Sequence, residues 1–220
     1  MTWCFLAGCL LIMTVPICAG DISGRIVITK RLTRKALPPP SYDLRGAAVI
    51  PAVLSSSMEA EYDRTIIMLE GVGLSSRQPE TVTVNQMGTR FDPELVVIPA
   101  GSTVEFPNSD PIFHNVFSFS GTKSFDLGYY PKGKSKAVKF DRPGVVQVYC
   151  HIHSSMYAAV VVTNSEFYGK PASDGTFQWT NVPAGHYKMI AWHKVAGLSP
   201  RGTRCARAWH GNGYGSRTHR

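Results

Sequence analysis

Cysteine is scarce outside one end of this 220-residue chain: Cys4, Cys9 and Cys18 lie in the first 18 residues, and only Cys150 and Cys205 follow. Two cysteines so far apart do not make a disulfide framework. Charge of one sign is also missing from most of the chain. Of the net charge of +8, five positive charges belong to residues 201–220, which hold no acid, leaving +3 on the first 200 residues. A body so close to neutral does not imply nucleic acid as a partner. A helical period is absent between Thr81 and Thr163, and no internal repeat occurs.

Residues 3–18 contain no charged side chain, and Asp21 is the first in the sequence. An apolar run of this length followed by small residues reads as a signal peptide over residues 1–20, with cleavage after Ala19 or Gly20 and export to the periplasm or the extracellular side. No Lys or Arg precedes the run, so an uncleaved membrane anchor is the alternative. With the leader removed, no membrane span remains. Ile17 before Cys18 does not suit lipid attachment, which needs a small residue there.

What is present is a succession of short runs rich in Val, Phe and Tyr, broken by Pro, Gly, Asn and Asp. This patterning predicts an all-β fold, an antiparallel sandwich or barrel, with strands over 81–86, 95–98, 102–107, 116–119, 136–140, 144–150 and 158–163. Ile22–Ile28 and Arg64–Gly71 read as two further strands, separated by a Pro-rich linker that includes Pro38-Pro39-Pro40. Residues 173–193 read as a hairpin-like pair, with Trp179 and Trp192 as core side chains. Residues 197–220 have too few apolar side chains for a core and read as a disordered basic tail.

The segment Val148-Tyr149-Cys150-His151-Ile152-His153-Ser154-Ser155-Met156 brings a thiol, an imidazole and a thioether within seven residues. Soft thiolate and thioether donors beside imidazole select copper, and two His, one Cys and a distant Met make a blue-copper site. The second imidazole has to come from elsewhere, and Phe106-Pro107-Asn108-Ser109-Asp110-Pro111-Ile112-Phe113-His114-Asn115 offers one at the end of a strand and the start of a turn. A lone Cys or His is ordinarily a core or surface residue, so it is the grouping that points to a metal. Met156 has a second reading as core filling. His151 adjoins Cys150 on a strand and should face away from the metal. His186 and His193 lie seven residues apart on one strand, hence on opposite faces, and share no site.

Residues 81–163 resemble the cupredoxin family of plastocyanin, pseudoazurin and azurin. The resemblance rests on Phe91-Asp92-Pro93, Val96-Val97-Ile98-Pro99-Ala100-Gly101, Val104-Glu105-Phe106-Pro107-Asn108, His114-Asn115, Pro143-Gly144 and Cys150-x-x-His153. It implies a Greek-key β-sandwich over 77–164 holding one copper ion, cycling between Cu(I) and Cu(II), with His114, Cys150 and His153 as strong ligands and Met156 as the axial one. Asn115 is implied as a residue that hydrogen-bonds across the ligand loop. The two residues between His153 and Met156 are fewer than the family's usual spacing. The whole chain also resembles bacterial proteins labelled methylamine utilization proteins, which join a cupredoxin to a carboxypeptidase-regulatory-like segment. That resemblance implies a second small β-sandwich built from 21–76 and 165–196.

The function implied is a non-catalytic carrier of single electrons between redox protein partners in the cell envelope. A multicopper oxidase needs several His-x-His pairs, and only His151-x-His153 occurs; a binuclear copper centre needs a second nearby Cys. A copper-binding storage or docking module is the alternative.

Overall fold

The structure is a computed structural model that describes residues 19–28, 58–71, 73–194, 197–198 and 205–207. Residues 1–18 of the leader, the Pro-rich linker and most of the tail lie outside the described residues. Among those described, no helix is long and apolar enough to cross a membrane.

In chain order the elements are β1 (Ala19–Arg25), α1 (Met58–Asp63), β2 (Thr65–Glu70), β3 (Thr81–Thr83), β4 (Asn85–Gln86), β5 (Phe91–Asp92), β6 (Leu95–Pro99), β7 (Ser102–Pro107) and β8 (His114–Ser120). They continue with β9 (Lys123–Tyr130), β10 (Ser135–Phe140), β11 (Gly144–Tyr149), β12 (Tyr157–Thr163), β13 (Tyr168–Gly169), β14 (Thr176–Pro183), β15 (His186–His193), β16 (Gly197–Leu198) and β17 (Cys205–Arg207). The expected all-β class holds.

Two sheets enclose the first core. One runs β6-β12-β11-β8-β9 and the other β10-β7-β3. Strand order is not chain order, because β9 leaves for β10 in the facing sheet before β11 returns beside β8. Between them lie Phe91, Ile98, Val104, Phe106, Val116, Phe140 and Val146, each with 1% exposure or less. Pro143-Gly144 starts β11: Gly144 has φ 135°, and a Cβ there would come within 2.7 Å of the Thr122 hydroxyl, so the turn requires glycine.

β12 and β2 explain how further layers attach. Tyr157-Ala-Ala-Val-Val-Val-Thr163 is apolar without alternation, as expected of a strand covered on both faces. Ala158, Val160 and Val162 face the first core, whereas Ala159 and Val161 join Ile66, Met68, Leu95, Tyr168 and Trp192 in a second one. β2 alternates in the same way, with Ile66 and Met68 toward that second core and Ile67 and Leu69 toward a third with Trp179, Val182 and Tyr187. Sheet β13-β2-β15-β16 is thus sandwiched between the large sheet and the two-stranded sheet β1-β14. Trp179 and Trp192 are core side chains, as their strand patterns indicate.

Four local readings change. The 81–86 run is two short strands divided at the fully buried Val84. β9 is not apparent in the sequence, because Lys123-Ser-Phe-Asp-Leu-Gly-Tyr-Tyr130 only half-buries Lys123, Phe125 and Leu127, loses the alternation at Gly128 (φ 64°), and buries only Tyr130 fully. The segments at 176–183 and 186–193 do not form a hairpin: β14 pairs with β1 and β15 pairs with β2. Both point side chains into one core, so they face each other across it. Within residues 197–220, β16 and β17 each pair with β15, main-chain bonding that does not depend on apolar composition.

His193 closes β15 against α1, its Nε2 lying 3.1 Å from the Glu61 carboxylate with both side chains buried. Burial lowers its pKa below 6.5, outweighing the raising effect of Glu61, and Arg64 adds to the lowering. The unfolded chain therefore takes up this proton first as pH falls, and the stability present above about pH 6.5 declines below it. Denaturant unfolding at pH 7.5 and 5.5 should show a loss on acidification that His193→Asn reduces. An equal loss in the variant would assign the effect to other groups.

Candidate metal centre

His114 is the first residue of β8, reached from the 108–113 loop, rather than the end of a strand entering a turn. Asn108 ties that loop down: its Nδ2 donates to the Ile112 and Tyr130 carbonyls at 2.8 and 3.0 Å, and its Oδ1 accepts from the Asp110 amide at 2.9 Å. Cys150 follows β11 directly, and His153 and Met156 lie in the next loop, which the Met156 amide closes by donating to the His153 carbonyl at 2.9 Å. Adjacent β8 and β11 thus deliver His114 and Cys150, and one short loop delivers His153 and Met156.

His114 Nδ1 lies 3.1 Å from His153 Nδ1, and Cys150 Sγ lies 3.9 Å from each of them. Among the described residues this is the one grouping of three or more His, Cys, Asp or Glu able to hold a metal ion. The point equidistant from the three atoms is about 2.1 Å from each, within the roughly 2.0–2.3 Å of imidazole and thiolate bonds to a first-row metal such as zinc. The donor set therefore fits a metal by size, and its thiolate with two imidazoles favours copper by softness. His114 and Cys150 are buried, whereas His153 is half-buried and gives the site its contact with solvent. Met156 is 1% exposed and belongs to the first core beside Val148 and Cys150.

Sequence reading missed Asp110. Its Oδ2 is 2.7 Å from His114 Nε2, which places the ring proton on Nε2 and turns the Nδ1 lone pair toward Cys150 and His153. Burial works against the Asp110 charge, but hydrogen bonds from the Thr89 amide, the His114 ring and the Gly88 amide hold its carboxyl below the usual 3.8. Available signal lay in an acid four residues before the histidine in a Pro- and Asn-rich loop.

Asn115 is fully buried, and its Nδ2 donates to Asp126 Oδ1 at 2.6 Å rather than to a ligand-loop atom. Asp126 in turn lies 3.4 Å from His151 Nε2, so Asn115 reaches the ligand loop through two side chains. Asp126 is held below 3.8 first by the Gly128 amide, then by Asn115. His151 stacks on Phe117 with ring centroids 3.8 Å apart and planes 6° apart, and Phe117 neighbours Tyr149 at 5.8 Å. The residues on either side of Cys150 are thus clamped to the sheet by one phenyl ring.

Residues 79–163, less than half of the chain, match the family model of copper binding proteins, plastocyanin/azurin family. The match supports copper binding by this segment. No curated protein matches the chain. Among solved structures it is similar to a copper-containing nitrite reductase from Thermus scotoductus SA-01, with 28% identity over 43% of this chain and 25% of that one and a TM-score of 0.37. This chain therefore spans only a quarter of the reductase. A purple cupredoxin from Nitrosopumilus maritimus is 25% identical over 39% of this chain and all of its own, with a TM-score of 0.33. Amicyanin from Paracoccus versutus is 23% identical over 44% of this chain and 97% of its own, with a TM-score of 0.36.

Replacing Asp110 by Asn keeps the shape but removes the charge behind His114. Copper affinity, measured by competition with a chelator, should fall by about 10-fold, the low end for a residue that orients a ligand. Unchanged affinity would show that Asp110 only shapes the loop.

Proposed function

We propose that this protein is a type 1 copper electron carrier of the cell envelope, with His114, Cys150 and His153 as strong ligands and Met156 as a weak axial one. The convergence of two Nδ1 atoms and one Sγ, spaced for a single ion, carries this reading. When bound, copper supplies a one-electron Cu(II)/Cu(I) couple. The chain's own part is to hold the donors still: β8 and β11 fix His114 and Cys150, Asp110 fixes the His114 tautomer, and the core around Met156 excludes water. Rigid donors reduce the rearrangement that accompanies a change of charge. His153 offers the solvent-facing route to a redox protein partner.

The protein acts in this reading as a carrier and not as an enzyme. Residues 1–20 are a signal peptide, residues 77–164 the cupredoxin domain, and 21–76 with 165–196 a carboxypeptidase-regulatory-like sandwich, as in methylamine utilization proteins. Support for the sandwich comes from the pairing of β1 with β14 and of β2 with β15, which brings segments from both sides of the copper domain together.

Loaded with Cu(II), the protein should be intensely blue, green or purple, because a thiolate bonded to Cu(II) gives charge transfer that nitrogen and oxygen donors do not. Cys150→Ser should abolish the band. A pale wild-type complex rejects the type 1 assignment. Protein voltammetry separates carrier from storage module: a carrier gives a reversible one-electron wave.

Met156 tests the axial role. Loss of a soft thioether in Met156→Leu should raise the reduction potential, whereas Met156→Gln offers an oxygen that favours Cu(II) and should lower it, both with copper and colour retained. An unmoved potential in Met156→Leu would make the side chain core packing alone.

A further inference from the structure

Charge on the copper-binding segment is unevenly placed. Residues 131–142 carry Lys132, Lys134, Lys136, Lys139 and Arg142 against the single acid Asp141, which is 3.1 Å from Lys139. The rest of residues 77–164 has three cations against six carboxylates. All five cations of 131–142 are exposed.

Part of this pattern has a structural explanation. β10 pairs only with β7 among the described strands, and lysines along an open edge deter pairing with another chain. That covers Lys136 and Lys139, which lie on the strand, but not Lys132 and Lys134, which lie before it. Their turn is fastened to the metal end: the Gly133 amide donates to the Asn108 carbonyl at 2.7 Å, and the Asn108 amide donates to the Lys134 carbonyl at 2.9 Å. Asn108 is the residue that also holds the loop leading to His114. On that loop Ile112 and Phe113 are 42% and 56% exposed. Lys136 leans to the same end, its ammonium 5.2 Å from the Tyr130 ring centroid and bonded to the Leu127 carbonyl.

From this placement we infer that Lys132 and Lys134, with Lys136 behind them, form a docking surface for the acidic face of a redox protein, beside the metal end. The inference rests on the electron-carrier reading. Carboxylates on the partner would meet the lysines and set its orientation, so that its own redox group comes to the exposed loop residues and His153. Exposed lysines of this kind act on encounter more than on final affinity, and their effect is screened by salt.

The test uses the full copper-loaded chain and two small oxidants of opposite charge, hexacyanoferrate(III) and tris(phenanthroline)cobalt(III). Oxidation of the Cu(I) protein by the anion should slow about 10-fold between 10 and 200 mM ionic strength, while oxidation by the cation should not slow. K132E/K134E should lose most of that dependence at unchanged colour and potential. K170E/K188E, which makes the same charge change at exposed positions just after β13 and on β15, should keep it. Equal slopes in the two double variants, with colour intact, would overturn the docking surface alone. A protein without colour, inert to both oxidants, would overturn the carrier reading and this one with it. If K132E/K134E instead loses binding to phosphatidylglycerol vesicles with the hexacyanoferrate slope unchanged, the lysines serve a lipid surface and the inference fails.

Discussion

Two-sided burial of β12 is the constraint on which the layering depends. A strand with alternating polarity closes one core and leaves its other face to water; Tyr157–Thr163 does not alternate, and its two faces fill two cores. Fully burying a valine side chain stabilises by about 1.5–3 kcal/mol, so leaving Val161 uncovered would sacrifice a sizeable share of a small domain's stability. Sheet β13-β2-β15-β16 covers it, and β2 repeats the device one layer further out. The ligand loop begins where β11 ends and finishes where β12 starts, so the stack anchors the donors at both ends.

Rigidity at the centre comes from hydrogen bonds as much as from the sheets. Asn108 and Asp110 spend their polar atoms on the loop that carries His114, and the Asp110 carboxylate reaches the ring nitrogen away from the metal position. A buried carboxylate is tolerated because two backbone amides and the imidazole satisfy it. On the outside of the sheet, Phe117 fixes His151, and Asp126 joins His151 to Asn115. The same Asn108 carries the turn with Lys132 and Lys134, so ligand placement and surface charge share one support.

Sequence alone determined the donor types, the strand-rich class and the continuous apolar runs of β2 and β12, because these are properties of residue identity and spacing along the chain. Cys150-x-x-His153 is local and therefore legible. Tertiary structure decided which distant residue faces which: the 3.1 Å approach of His114 to His153, the Asp110 contact behind His114, and the arch that places β14 and β15 in different sheets instead of a hairpin. Those pairings are set by which faces must be buried against each other, a competition among all segments at once that no short window of sequence records. Asn115 shows the difference within one residue, since its position beside His114 was readable and its partner Asp126, on the next strand, was not.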